Sequence, residues 1–208
     1  MLGRSRQTGD TLIEVLFAIT TFSLVVVTSL AIMNQGTAAS MRSLQITLVR
    51  QEIDSQAETL RFLSSAYVSA YYPGYAPNLA DASTSPAEEY YRVLNSVTAS
   101  SVSKFGGEDP KTCPTAPNGS LILNTRLARY VAYNPATMVG ADAFSEVTYN
   151  ADDSINRSGG IWVEAAKSAA APGVPGYVDF HIRACWSATG SNMPTNLGTI
   201  VRLYEPTN

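Results

Sequence analysis

The chain has 208 residues, a length for one domain or a domain with an appendage, and only 15% of them are charged, against roughly 25% in an ordinary soluble domain. Its formal net charge is -3, with Lys+Arg 14 against Asp+Glu 17, and no basic patch follows the spacing of phosphates, so no nucleic-acid partner is expected. Single-residue tracts, blocks of like charge and fixed-period repeats are absent, which sets aside disordered and solenoid architectures.

The N-terminal segment carries most of the information. From Leu12 to Met33 the sequence LIEVLFAITTFSLVVVTSLAIM is long and apolar enough to cross a hydrocarbon core of about 30 Å. Arg4 and Arg6 precede it, and the positive-inside bias therefore keeps the N-terminus in the cytoplasm and sends the remainder outward. A secretory signal has a shorter apolar region and a small-residue cleavage site behind it, which leaves an uncleaved signal anchor as the plain alternative. Glu14 is the one charge inside the run. A carboxylate in a spanning helix costs free energy and usually marks a function, although near one end it also has room to snorkel or to stay protonated.

Glu14 stands five residues after a glycine that ends a short hydrophilic stretch with basic residues, in the order Gly9-Asp10-Thr11-Leu12-Ile13-Glu14-Val15-Leu16. Leader, glycine, TLIEVL core and apolar run together resemble the class III signal of type IV pilins and pseudopilins, over about the first 35 residues. The resemblance implies a membrane-bound prepilin peptidase that cuts after Gly9 and methylates the new amine. Asp10 then becomes the mature N-terminus and Glu14 the fifth mature residue. Asp10 stands where family members most often have Phe or Met, and no helix-kinking proline occurs before Pro73; both departures point toward a minor pilin or a pseudopilin.

Glu14 has a physical task in such an assembly. Among apolar helices only van der Waals packing chooses an axial register, whereas a buried carboxylate favours the register that brings a cation to it. The resemblance supplies that cation as the N-terminal amine of a neighbouring subunit. Thr20, Thr21, Ser23, Thr28 and Ser29 have two uses open to them, bonding carbonyls of their own helix or a neighbouring helix.

Beyond Met33 the helical period continues through Ile46, Val49, Ile53, Ala57, Leu60, Leu63 and Tyr67, which is one apolar face of an amphipathic helix. No proline interrupts from Leu12 to Tyr72 and Gly36 is the single weak point, so one helix is predicted over about 12–69, roughly 85 Å long at about 1.5 Å per residue. The expected division is a leader over 1–9, a transmembrane and filament-core helix over 10–34, an amphipathic helix over 35–70 and a globular β-rich head over 71–208. Tyr71-Tyr72-Pro73-Gly74 ends the helix. A loop-like stretch follows to about Pro117, with a short helix at Pro86 to Asn95, where Pro86 suits a first turn and Glu88 and Glu89 the N-terminal dipole. The tyrosines from Tyr67 to Tyr91 have two readings, an adhesive surface or packing against the stalk.

Strands are predicted at Ser120–Leu123, Arg126–Tyr133, Gly160–Ala166, Tyr177–Trp186 and Leu197–Tyr204. The fold class is α+β and pilin-like, a long N-terminal helix packed on an antiparallel sheet. In Tyr177–Trp186 the residues Val178, Phe180, Ile182, Ala184 and Trp186 take one face, and Tyr177, Asp179, His181, Arg183 and Cys185 the other. Asp179, His181 and Arg183 on one face are the ordinary polar side of a half-buried strand, and no nucleophile or second acid is placed by motif; no catalytic residue is expected. The run from Ala166 to Gly176 is expected to be a mobile connection. Asp152-Asp153-Ser154 reads as a solvated turn, because calcium needs six to eight oxygens.

Cys113 and Cys185 are the two cysteines, without a CxxC pair and with His181 as the one histidine, too few ligands for zinc. In an exported head they are expected to form one long-loop disulfide, the other reading being two buried thiols. The GGIWVE and DFHIRACW segments also resemble, more weakly, pilin-like proteins of the modification type from small-genome bacteria, which implies a Cys185–Cys113 bond closing that loop onto the C-terminal strands.

These readings imply no cofactor, no metal and no enzyme. The expected function is a structural subunit of a type IV pilus, a minor pilin, built into a surface filament for adhesion, motility or DNA uptake. Its partners are then the prepilin peptidase, other pilin subunits, the assembly machinery and the membrane, and its location a single-pass bacterial membrane protein that later joins the extracellular pilus. The alternatives are a pseudopilin of a type II secretion or competence system, or a membrane-anchored adhesive ectodomain.

Overall fold

The computed structural model describes residues 10–77, 79, 85–103, 105, 111–172 and 174–206; the leader expected over 1–9, and Gly9 with it, lies outside them. The helices are α1 (Asp10–Ala70) and α2 (Pro86–Ser96), and the strands β1 (Leu121–Asn124), β2 (Arg129–Ala132), β3 (Met138–Val139), β4 (Glu146–Tyr149), β5 (Ile155–Gly159), β6 (Ile161–Ser168), β7 (Tyr177–Trp186) and β8 (Thr195–Tyr204). The chain divides inside α1 into two units, one ending at Ser43 and the other running from Leu44 onward.

In the first unit the helix is apolar on all sides from Leu12 to Met33 apart from Glu14, and its large side chains there are exposed. It is the one described helix long and apolar enough to cross a membrane, by length and composition. In the second unit the same helix buries a stripe. Val49, Ile53, Ala57, Leu60, Leu63 and Tyr67 all enter the core, at the three- and four-residue spacing that keeps side chains on one helix face.

The stripe shares its core with an antiparallel five-stranded sheet of order β2-β1-β6-β7-β8. β7 and β8 pair without a register shift from Tyr177↔Tyr204 to Trp186↔Thr195, and Val163, Phe180, Ile182 and Val201 lie in the same core. This is the α+β layout that helix first and strands after predict. Between β1 and β6 the sheet opens, since they share the single pair Leu121↔Val163. Gln56 of α1, fully buried, fills that opening at Leu123: its Nε2 donates to the Leu123 carbonyl at 2.9 Å and its Oε1 accepts from the Leu123 N–H at 2.9 Å. A polar side chain inside the stripe thus satisfies two backbone groups that β6 leaves unpaired.

A second sheet, of order β3-β5-β4, has β3 parallel and β4 antiparallel to β5. It was not expected from the sequence, because MV, EVTY and INRSG are too short and too polar to show a period-2 signal. Gly160 joins the two sheets with φ of +66°, where a Cβ would meet the Cys185 carbonyl oxygen at 2.4 Å. Its N–H donates to the Val139 carbonyl at 2.7 Å, and its own carbonyl accepts from Cys185 N–H at 2.8 Å and Ser145 Oγ at 2.9 Å. Only glycine fits this joint.

α2 begins at a capping box: Ser85 Oγ accepts from Glu88 N–H, and Glu88 Oε2 accepts from Ser85 N–H at 2.7 Å. Of the two readings for the tyrosines, packing holds for Tyr67 and Tyr90, which are buried and in ring contact with each other, while Tyr72 is exposed. Burial pushes the Tyr90 phenol up to about 12.

Two expectations need correction. Arg183 and Cys185 do not face solvent with Asp179: both are buried, because residues from the 97–113 stretch cover their end of the sheet. The run from Ala166 does not begin a mobile connection either, since β6 continues to Ser168, with Lys167 N–H bonded to the Ala99 carbonyl at 2.8 Å and Lys167 Nζ 2.5 Å from Glu205 Oε1. Sequence alternation describes a strand's own two faces and carries no information about what a distant segment lays over them.

Candidate functional site

The first candidate is the face of α1 around Glu14. Asp10 is the first residue of the helix, which places Glu14 one turn further in, among the exposed apolar residues Leu12, Ile13, Val15, Leu16 and Phe17. From Leu12 to Met41 it is the only charged residue, and it has no bonding partner among the described residues. The hydroxyls of Thr20, Thr21, Ser23 and Thr28 are turned back onto their own helix. Thr21 Oγ1 donates to the Phe17 carbonyl, Ser23 Oγ to Ile19 and Thr28 Oγ1 to Leu24, at 2.8 to 2.9 Å. This i−4 back-bonding leaves the outer surface to methyl and methylene groups. What the face can do chemically is therefore narrow: pack against apolar matter, and accept one cation at Glu14.

The second candidate is a polar cluster on the sheet face opposite the α1 stripe. Glu164 of β6 and Arg183 of β7, each with a side chain 7% exposed, meet at 2.7 Å. Glu164 Oε1 also accepts from Trp162 Nε1 at 2.9 Å, and Oε2 accepts from Ser103 N–H at 2.9 Å and Ser103 Oγ at 2.6 Å. Arg183 Nη2 donates to the Ser103 carbonyl at 2.8 Å, and its guanidinium lies 5.0 Å from the centre of the Phe105 ring. Burial by itself would raise the Glu164 pKa, but the bonds from Ser103 and Trp162 and the charge of Arg183 outweigh it and hold the carboxyl below its usual range. Four donors saturate this carboxylate, and nothing is left for a substrate. The cluster is a fastening for the 99–105 segment.

The Asp179, His181, Arg183 trio does not come together as a reactive set. Asp179 makes a two-pronged pair with Arg202 of β8 at 2.7 Å for each contact, while Arg183 serves Glu164. His181 is left with its pKa lowered, mainly by burial and then by Arg183, and with no hydrogen bond to either neighbour. Among the described residues no group of three or more His, Cys, Asp or Glu could hold a metal ion.

Cys113 and Cys185 form a disulfide with Cα atoms 5.5 Å apart, and it pins the stretch before β1 to β7. The sequence showed the two cysteines and Arg183, but not Glu164 as the partner of Arg183. The signal was a lone acid inside the apolar IWVEAA segment, and only the β6–β7 register, which puts Trp162 opposite Arg183 and Glu164 opposite His181, assigns its partner.

No family model, curated protein or solved structure matches this chain.

Proposed function

We propose that the protein is a subunit of the type IV pilin and pseudopilin kind. In this reading a prepilin peptidase cuts after Gly9, residues 12–33 hold the subunit in a membrane, and the same residues later pack against other subunits in a filament whose surface carries the globular unit. One observation carries the proposal: a lone carboxylate, Glu14, five residues after Gly9, on an apolar helix that finds no cover among the described residues. Burying such a helix between copies of itself removes the apolar surface from water. It also creates the need for a register, and the amine of Asp10 on a neighbouring subunit provides one when it meets Glu14. The Cys113–Cys185 disulfide supports an oxidising compartment for the globular unit.

A minor pilin and a pseudopilin of a secretion or DNA-uptake machine share every one of these N-terminal residues. The departures at Asp10 and the missing proline favour both over a major pilin. Mass spectrometry of the mature N-terminus from the native membrane or filament fraction tests the reading. A chain that begins at Asp10 is expected; a chain that keeps Arg4 and Arg6 in cells with an active peptidase rejects it. Glu14→Ala is expected to leave membrane insertion and the globular unit intact and to remove the subunit from filaments, read by immunoblot of sheared fibres against membranes. Normal filament content of that variant would exclude the register role.

A further inference from the structure

The opening between β1 and β6 is closed at one end by Gln56 and left open at the other. Alternate residues of an antiparallel strand send both backbone groups toward the same neighbour. On the β1 side of β6, Val163 is matched by Leu121 and Lys167 N–H by the Ala99 carbonyl. Ala165 lies midway between them, and its N–H and C=O point the same way with no backbone bond on that side among the described residues. They face a cavity of about 190 Å³ whose walls come from the segment after α2, from residues 117–120 and from β6. In one wall is Ser120, 2% exposed, whose hydroxyl is buried and has no hydrogen-bond partner among the described residues. Buried polar groups without partners are rare enough to require an explanation.

We infer that this cavity is a binding site for a neutral polyhydroxylated molecule the size of one hexose. The precedent lies within the same fold. At Leu123 the carboxamide of Gln56 accepts from the N–H and donates to the C=O of a single residue. Two adjacent hydroxyls of a sugar can do the same for Ala165, one accepting and the other donating, and a third can engage Ser120 once its side chain turns. The charge balance points to a neutral ligand. Glu164 is the one ionisable residue in the lining; Arg183 balances its charge and its lone pairs are taken by Arg183, Trp162 and Ser103, so the site offers no free cation to an anion and no free carboxylate to a cation. Val97, Val102 and Pro117 supply apolar wall for the C–H face of a ring. The volume, about 190 Å³, limits the ligand to a small molecule. The site is independent of the pilin reading: sugar occupancy and N-terminal processing are separate readouts, and either can fail alone.

The test uses the full chain, labelled with ¹⁵N-alanine, in a detergent without sugar headgroups. The probes are methyl α-glucoside, methyl α-mannoside, methyl α-galactoside and their 2,3-dideoxy analogues. At least one glycoside is expected to shift the Ala165 amide saturably, with a dissociation constant on the order of millimolar for a ligand this small, while its dideoxy analogue does not. Ser120→Ala is expected to weaken binding about tenfold, the loss of one hydrogen bond. Ser101→Trp, at an exposed position on the rim, is expected to abolish binding with the remaining amide spectrum unchanged. The inference is overturned if no glycoside moves the Ala165 amide, if dideoxy analogues bind equally well, or if binding survives Ser101→Trp. Unchanged affinity in Ser120→Ala removes the part assigned to its hydroxyl.

Discussion

The two units divide one helix between two solvents. From Leu12 to Met33 the helix carries apolar side chains around its circumference and buries none of the large ones; from Leu44 it carries one apolar stripe and buries it against the sheet. Helix formation is common to both parts, so propensity explains neither difference. The first part's hydrophobic surface has no cover among the described residues, and the second buries its own against the sheet. A helix that is apolar all round belongs in a core or a membrane, and that is what makes its exposure informative.

The sharpest way to test this contrast is the same substitution in both halves. Leu60→Ala, at a residue 0% exposed, is expected to destabilise the globular unit by about 2–5 kcal/mol, from lost transfer energy and the cavity left behind. Urea unfolding of the full chain in detergent reads it through Trp162 and Trp186, the two tryptophans, both buried. A loss under 1 kcal/mol would mean that α1 does not belong to this core. Cys113→Ser is expected to cost about 2–4 kcal/mol in the same assay, by freeing a long loop of the unfolded chain, and to leave the 10–43 helix as helical as before by circular dichroism.

Glu52 offers a smaller and pH-dependent change. It lies in the half of α1 that packs on the sheet, and its Oε1 is buried without a partner. Burial, then the charge of Glu146, raise its pKa above the ordinary 4.5, against the opposing bond from Gln56. A raised carboxyl is protonated in the fold at low pH without penalty, and the penalty grows as pH rises from the unfolded value through the folded one. Glu52→Gln is therefore expected to stabilise the unit at neutral pH, by less than either loss above, and to give no gain below pH 4 or so. An equal gain at both pH values would assign the effect to packing instead. The least effect is expected from Leu24→Ala, at a residue 68% exposed: within about 0.5 kcal/mol on the globular unit. A larger change would show that the two halves are coupled and not merely continuous.

Much of this was legible in the sequence wherever a period was long enough to read. α1, α2 and the strands β6, β7 and β8 follow from apolar spacing, Pro86 and the turn residues, and the two cysteines paired as compartment chemistry suggested. The second sheet was not legible, because its strands of two to five residues owe their conformation to Gly160 and to neighbours distant in sequence. Nor was the burial of Arg183: alternation placed it on the right face, but only the fold brings Ser103 and Phe105 across more than seventy residues to cover it. The role of Gln56 has no sequence signal, because a glutamine within an amphipathic stripe looks like a polar position and not like the partner of a strand.

The α1 stripe also imposes a problem of timing. Chains emerge N-terminus first, so Val49 to Tyr67 are synthesised before anything that can cover them, and β7 and β8 arrive more than a hundred residues later. Contacts so far apart in sequence close slowly. During that interval the apolar stripe stays uncovered, and transiently exposed hydrophobic surface is prone to aggregate. Completion of this core therefore waits on β7 and β8, the last strands to be made.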